Sequence, residues 1–116
     1  MDWILAKVKP GKQILQSLTE QDCELLHASL GITTEAAELA DAIKKYTIYR
    51  KPLDLSNVVE ELADIYFWMH YFMRTFSLDF DTLELVLKEK LDKRYPTGYS
   101  DSNAQARLDK QTEDSP

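Results

Sequence analysis

Residues 57–72 read N57-VVEELADIYFWMHY-F72, and this stretch decides how the chain is read. After Asp64 it is apolar or aromatic with the exception of His70, whereas Glu60, Glu61 and Asp64 stand just ahead of that run. Its apolar part is about half the ~20 residues a membrane span needs. It therefore reads as a helix of a protein core or interface, capped by Ser56 and running to about Phe76. A helix bound for burial has no structural reason to begin with three acids, so the acids need one of their own.

Working outward toward the N-terminus, Thr19 and Asp22 have the spacing of a capping box, which starts a helix. Leu25, Leu26, Ala28, Leu30, Ile32, Ala36, Leu39 and Ala40 then recur at helical intervals and make the expected core stripe. Gly31 inside that pattern marks close packing or a bend. The pattern fades by Tyr46–Tyr49, and Pro52 and Asp54 mark a connection. Toward the C-terminus, "SLDFDTLE" resets the pattern, with Asp81 and Glu84 as a second capping box and a helix to about Arg94. "DWILAKV" is weakly amphipathic and is broken by "KPG" at 9–11, so residues 1–18 stay unassigned. Beyond "YPTG" the chain is polar and expected to be irregular. The expected fold is all-α: an antiparallel bundle of about four helices in a domain of residues 1–100, followed by a polar tail, 101–116. Ile65, Phe67, Trp68, Tyr71 and Phe72 cannot all face one small core, which predicts an oligomer, dimer or tetramer.

Composition bounds the function. A chain of 116 residues holds one domain, and a formal net charge of -6 disfavours a nucleic-acid-binding surface. Cys23 has no internal disulfide partner and the N-terminus shows no extended apolar segment, so a cytoplasmic protein without membrane association is expected.

The acids come in two pairs. Glu61 and Asp64 are three apart and share a helix face, as do Glu35 and Glu38 on the preceding helix. If the two helices pack antiparallel, the pairs differ in level by about 7 Å at 1.5 Å of rise per residue. The connection spans that easily, so the four carboxylates can converge. Four like charges in a partly buried place repel, and some would be protonated unless a cation intervened. A hard divalent ion with oxygen ligands, Mg²⁺ or in its place Mn²⁺, removes the problem. A single E-x-x-E is usually a solvated face; two pairs on adjacent helices, each beside apolar residues, favour metal. Glu60 points about 100° away from Glu61 and is read as solvated.

"HASLGITTEAAELADAIKK" followed by "DLSNVVEELADIYFW" resembles the MazG-like all-α nucleotide pyrophosphohydrolases, whose signature is E-x-x-E, a spacer, then E-x-x-D. "KLDKRYPTGYS", Lys90 to Ser100, resembles their closing segment, so the likeness covers roughly residues 25–100. It implies hydrolysis of nucleoside triphosphates to monophosphate and pyrophosphate, with Mg²⁺ held by Glu35, Glu38, Glu61 and Asp64, in a helical dimer or tetramer. Glu35 or Glu38 would activate the water. Lys90 and Arg94, with the adjoining Tyr95, become substrate contacts by the same likeness; by themselves such cations suit a helix C-terminus. His27, eight residues before Glu35 on the same face, is a candidate for base or phosphate, with helix packing as the plain alternative. Trp68 is a candidate base-stacking residue or simply core, and Lys44 and Lys45 read as a solvated helix end. Two departures stand out: Leu87 where relatives often carry Asn, and "ELAD" for their "ELGD". The competing readings are a non-enzymatic helical interaction module and a di-metal carboxylate bundle. The latter class uses Glu-x-x-His, which neither pair supplies.

Overall fold

Thr19 opens the longest helix as its spacing to Asp22 anticipates. The Asp22 amide donates to Thr19 Oγ1 (3.1 Å) and the Thr19 amide donates to Asp22 Oδ2 (2.9 Å), satisfying two backbone donors that a helix start leaves free. The computed structural model describes residues 2–110. Among these it contains six α-helices: α1 (Asp2–Leu5), α2 (Gly11–Ser17), α3 (Glu20–Thr47), α4 (Leu55–Thr75), α5 (Phe80–Arg94) and α6 (Asp101–Ala106). A single 3-10 turn, Leu108–Lys110, follows, and the described residues hold no strand. The all-α expectation therefore stands, with six helices instead of about four.

The extra helices are short. Residues 1–18 supply α1 and α2, neither of which buries a residue. Residues 101–110, expected to be irregular, form α6 and the 3-10 turn because Ser100 caps them: its Oγ accepts the Asn103 amide at 3.1 Å. Residues 111–116 of the expected tail lie outside the described residues. Two other caps sit two residues earlier than expected. Asp54, not Ser56, accepts the Asn57 amide at the start of α4 (3.1 Å). Asp79, not Asp81, accepts the Thr82 amide ahead of α5 (2.8 Å). Both expected residues already lie within helix, whereas an N-cap has extended backbone, as Asp79 does at φ −123°.

The chain divides into two compact units, Met1–Thr75 and Phe76–Pro116. In the first, α3 packs along α4. Their direction follows from which residues meet. Tyr71 donates to Glu24 Oε2 (2.7 Å), the rings of His27 and Trp68 lie 5.0 Å apart, and Gly31 faces Trp68. Farther along, Glu35 and Glu38 meet Glu61, and Ala42 and Asn57 line one cavity. Numbers rise on one helix as they fall on the other, so the pair is antiparallel. With Ala28 and Asp64 at the intervening positions, these residues fall on two stripes with alternating three- and four-residue steps: 24, 28, 31, 35, 38, 42 on α3 and 57, 61, 64, 68, 71 on α4. That is the spacing of a coiled-coil seam, but all six of its α3 residues are small or acidic. The expected apolar stripe is only partly inward: Ala28 is buried and Leu25, Ile32 and Leu39 are half-buried, while Leu26, Leu30, Ala36 and Ala40 are exposed.

In the second unit α5 packs against α6 and the 3-10 turn. Gly98, at φ +107°, makes the turn that ends "YPTG", its amide donating to the Tyr95 carbonyl (3.2 Å). Only glycine adopts this backbone without strain.

Candidate active site

The seam explains why α3 needs a glycine at 31. The Trp68 indole lies against its backbone: a Cβ there would stand 2.6 Å from Trp68 Cδ2 and closer to Nε1 and Cε2. This close approach draws the helices together one turn from Glu35. Gly31 thus marks close packing, and Trp68 is half-buried, lying against Gly31 and tilted at 53° to the His27 ring.

One turn farther along, Glu35, Glu38 and Glu61 bring one carboxylate oxygen each within 4.8 Å of one another. The residues differ in exposure. Glu61 is 7% exposed, Glu35 half-buried and Glu38 exposed. Glu35 Oε2 and Glu61 Oε2 are buried and lack a hydrogen-bond donor. Carboxylates only accept, so two of them can bond to each other only by sharing a proton. Accordingly the neighbouring Glu35 carboxyl, then burial, then Glu38 push the Glu61 pKa from 4.5 up to about 8. Asp64 is half-buried one step along the same face of α4 and lies outside the three-carboxylate group. Glu60 is exposed, in keeping with a solvated residue.

The donor set fits a hard divalent cation. It offers oxygens only, two of them buried without partners, and its excess charge is what such an ion would neutralise. A neighbouring base would have served as well, but no lysine or arginine pairs with these acids in the described residues.

The remaining candidates fall in two places. His27 is exposed and rests on Trp68. Lys90, Arg94 and Tyr95 belong to the second unit, where each is half-buried. Arg94 Nε donates to Asp109 Oδ1 at 2.7 Å; the Asp109 side chain is 2% exposed and that of Arg94 19%. The Asp109 carboxyl holds the arginine pKa up, and the guanidinium holds that of Asp109 down. This pair gives Arg94 a structural role the helix-dipole account did not contain. Asp109 was missed because no pattern in a polar tail announces an ion pair fifteen residues away. Leu87 is exposed and Cys23 is a free, exposed thiol.

The model of the MazG nucleotide pyrophosphohydrolase domain matches residues 21–99, which contain all three clustered carboxylates and Asp64. Neither the comparison with curated proteins nor that with solved structures yields a match. The match spans α3 through the Gly98 turn, well over half of the chain, and so the protein belongs to the MazG nucleotide pyrophosphohydrolase domain family.

Proposed function

We propose that the protein hydrolyses nucleoside triphosphates to the monophosphate and pyrophosphate, with Mg²⁺ held by Glu35, Glu38, Glu61 and Asp64. The observation that carries this reading is the convergence of three carboxylates, two with unpartnered buried oxygens, on one seam of a MazG-family chain. Asp64, one step along the same face of α4 as Glu61, would complete the ligand set. The bound ion neutralises phosphate charge and lowers the pKa of coordinated water.

In the reaction a water oxygen bonds to the α-phosphorus. The bond from that phosphorus to the α,β-bridging oxygen breaks, and the electron pair leaves with pyrophosphate. The water's proton passes to Glu35 or Glu38. Glu38, the exposed member, has the readier path for handing it to solvent. His27 and Trp68 border the seam on the N-terminal side of Glu35 and take the nucleoside; Lys90, Arg94 and Tyr95 are assigned to substrate by family likeness. The functional domain is residues 1–100, and the protein is cytoplasmic, where its substrates are. The described residues contain no helix long and apolar enough to cross a membrane.

The active form is a dimer or tetramer. Phe67 is 63% exposed in the single chain, and Leu62, Tyr66, Leu26 and Leu30 are exposed with it. Ala28, Ala42 and Met73 are the only buried apolar residues among those described, too little to hold 116 residues together.

A screen of the common nucleoside triphosphates, with and without Mg²⁺ and reading pyrophosphate, tests the proposal. At least one nucleotide should release pyrophosphate only when Mg²⁺ is present. Folded protein that releases none from any nucleotide would point to the interaction module instead, and stoichiometric iron with an optical spectrum to the di-metal bundle.

A further inference from the structure

Beyond the acids, away from His27 and Trp68, the seam opens into a cavity of about 280 Å³ lined by Ala42, Lys45, Lys51, Pro52, Asp54 and Asn57. Ala42 lies four residues past Glu38 on α3, and Asn57 lies four residues before Glu61 on α4. The cavity is therefore the next turn of the same groove, about 6 Å along the helix axes from the carboxylates. We propose that this cavity receives the β- and γ-phosphates of the substrate and holds them as pyrophosphate after cleavage, with Lys45 and Lys51 as the cations.

The inference rests on the hydrolytic reading above and adds a polarity to it. The rings of His27 and Trp68 lie on one side of the carboxylates and the lysines on the other. A nucleotide whose α-phosphate sits at the acids has its nucleoside on one side and its remaining phosphates on the opposite side. The carboxylates repel those phosphates except where cations intervene, so the distal phosphates need positive charge that the acids do not provide. Lys45 and Lys51 stand where that charge is required.

Asp41 and Asp54 stand beside the two lysines and offset part of their charge. Lys45 Nζ pairs with Asp41 Oδ2 at 3.0 Å, but both side chains are more than half exposed, and such pairs exchange readily for a better anion. Asp54 Oδ1 is engaged by the Asn57 amide at 3.1 Å. Lys51 is fixed from its backbone: Arg50 adopts φ +58°, a left-handed conformation unusual for arginine, and the Lys51 amide donates to the Lys45 carbonyl at 3.0 Å. This closure ties the two lysine backbones together at the end of α3.

The test measures pyrophosphate itself. Binding of Mg-pyrophosphate to the full chain is followed by calorimetry and by amide chemical shifts, for wild type, Lys45→Gln, Lys51→Gln and the double variant. Circular dichroism checks the fold, which exposed lysines should not affect. Pyrophosphate should weaken by about tenfold for each lysine removed, the cost of losing one charge-assisted contact. Nucleoside monophosphate should bind all four proteins alike, and the shifts in wild type should centre on residues 42–57. Unchanged pyrophosphate affinity in the double variant, no binding to wild type, or shifts confined to other residues overturns the proposal. Failure of the hydrolytic reading looks different: wild type then releases no pyrophosphate from any nucleotide, whatever the lysine variants bind.

Discussion

The inner and outer faces of α3 and α4 are the reverse of what helices in a soluble protein usually present. Where the two helices meet, the residues include Glu24, Ala28, Gly31, Glu35, Glu38 and Ala42 opposite Asn57, Glu61, Trp68 and Tyr71. On their outer surfaces stand Leu26, Leu30, Val59, Leu62, Tyr66 and Phe67. An interface lined by small and acidic residues gains little from the hydrophobic effect. The difference teaches that the seam carries acids where a helix contact usually carries apolar side chains, and that large apolar residues stand exposed on the outer surfaces of the single chain.

The largest effect should come from breaking the seam's charge. Glu61→Gln should reduce pyrophosphate release by roughly 10²–10³-fold, since ion-mediated stabilisation is worth several kcal/mol. Glu60→Gln, on the outer face one residue away, should stay within a few-fold of wild type. Equal losses in the two variants would show that the face assignment is wrong.

The outer face answers to a different measurement. Phe67→Ser should weaken self-association by up to about 100-fold, as expected when a Phe worth ~3 kcal/mol leaves an interface. Light scattering across a concentration series reads this directly. A wild-type chain that is monomeric at micromolar concentration would remove the outer face from the comparison altogether.

Gly31→Ala probes the packing that brings the seam together. The added methyl overlaps Trp68. Overpacking costs about 1–3 kcal/mol, offset by about 1 kcal/mol of better helix propensity. A net loss of up to about 2 kcal/mol in denaturant unfolding is expected, and Trp68 fluorescence should change with it.

The last measurement is a pH slope. Glu61 titrates near 8 in the folded chain and near 4.5 as an ordinary glutamate. Between those values the folded chain keeps a proton that the unfolded chain has released, so metal-free stability should fall as pH rises from about 5 through 8. Glu61→Gln should flatten that slope. In wild type the stabilisation by added Mg²⁺ should grow over the same range, because the ion displaces the proton. A metal-free melting temperature that rises from pH 5 to 8 equally in both proteins would contradict the account.

Much of this was legible in the residues themselves. Helical periodicity, the Thr19–Asp22 box and the paired acids depend on neighbours three or four positions apart, and local spacing determines which of them share a face. The all-α class, α3, α4 and α5, and the shared helix face of Glu35 and Glu38 follow from that. Caps were less legible, because Asp54 and Ser56, or Asp79 and Asp81, are equally good acceptors until the backbone shows which is extended. Tertiary structure alone decided the rest. It set Glu35 and Glu38 against Glu61 and left Leu26 and Leu30 outward, since either face of α3 could have met α4. It also set Trp68 on Gly31, paired Arg94 with Asp109 and opened the cavity at Lys45 and Lys51. These depend on contacts between residues far apart in the chain, and no local pattern encodes the depth and register at which two helices settle.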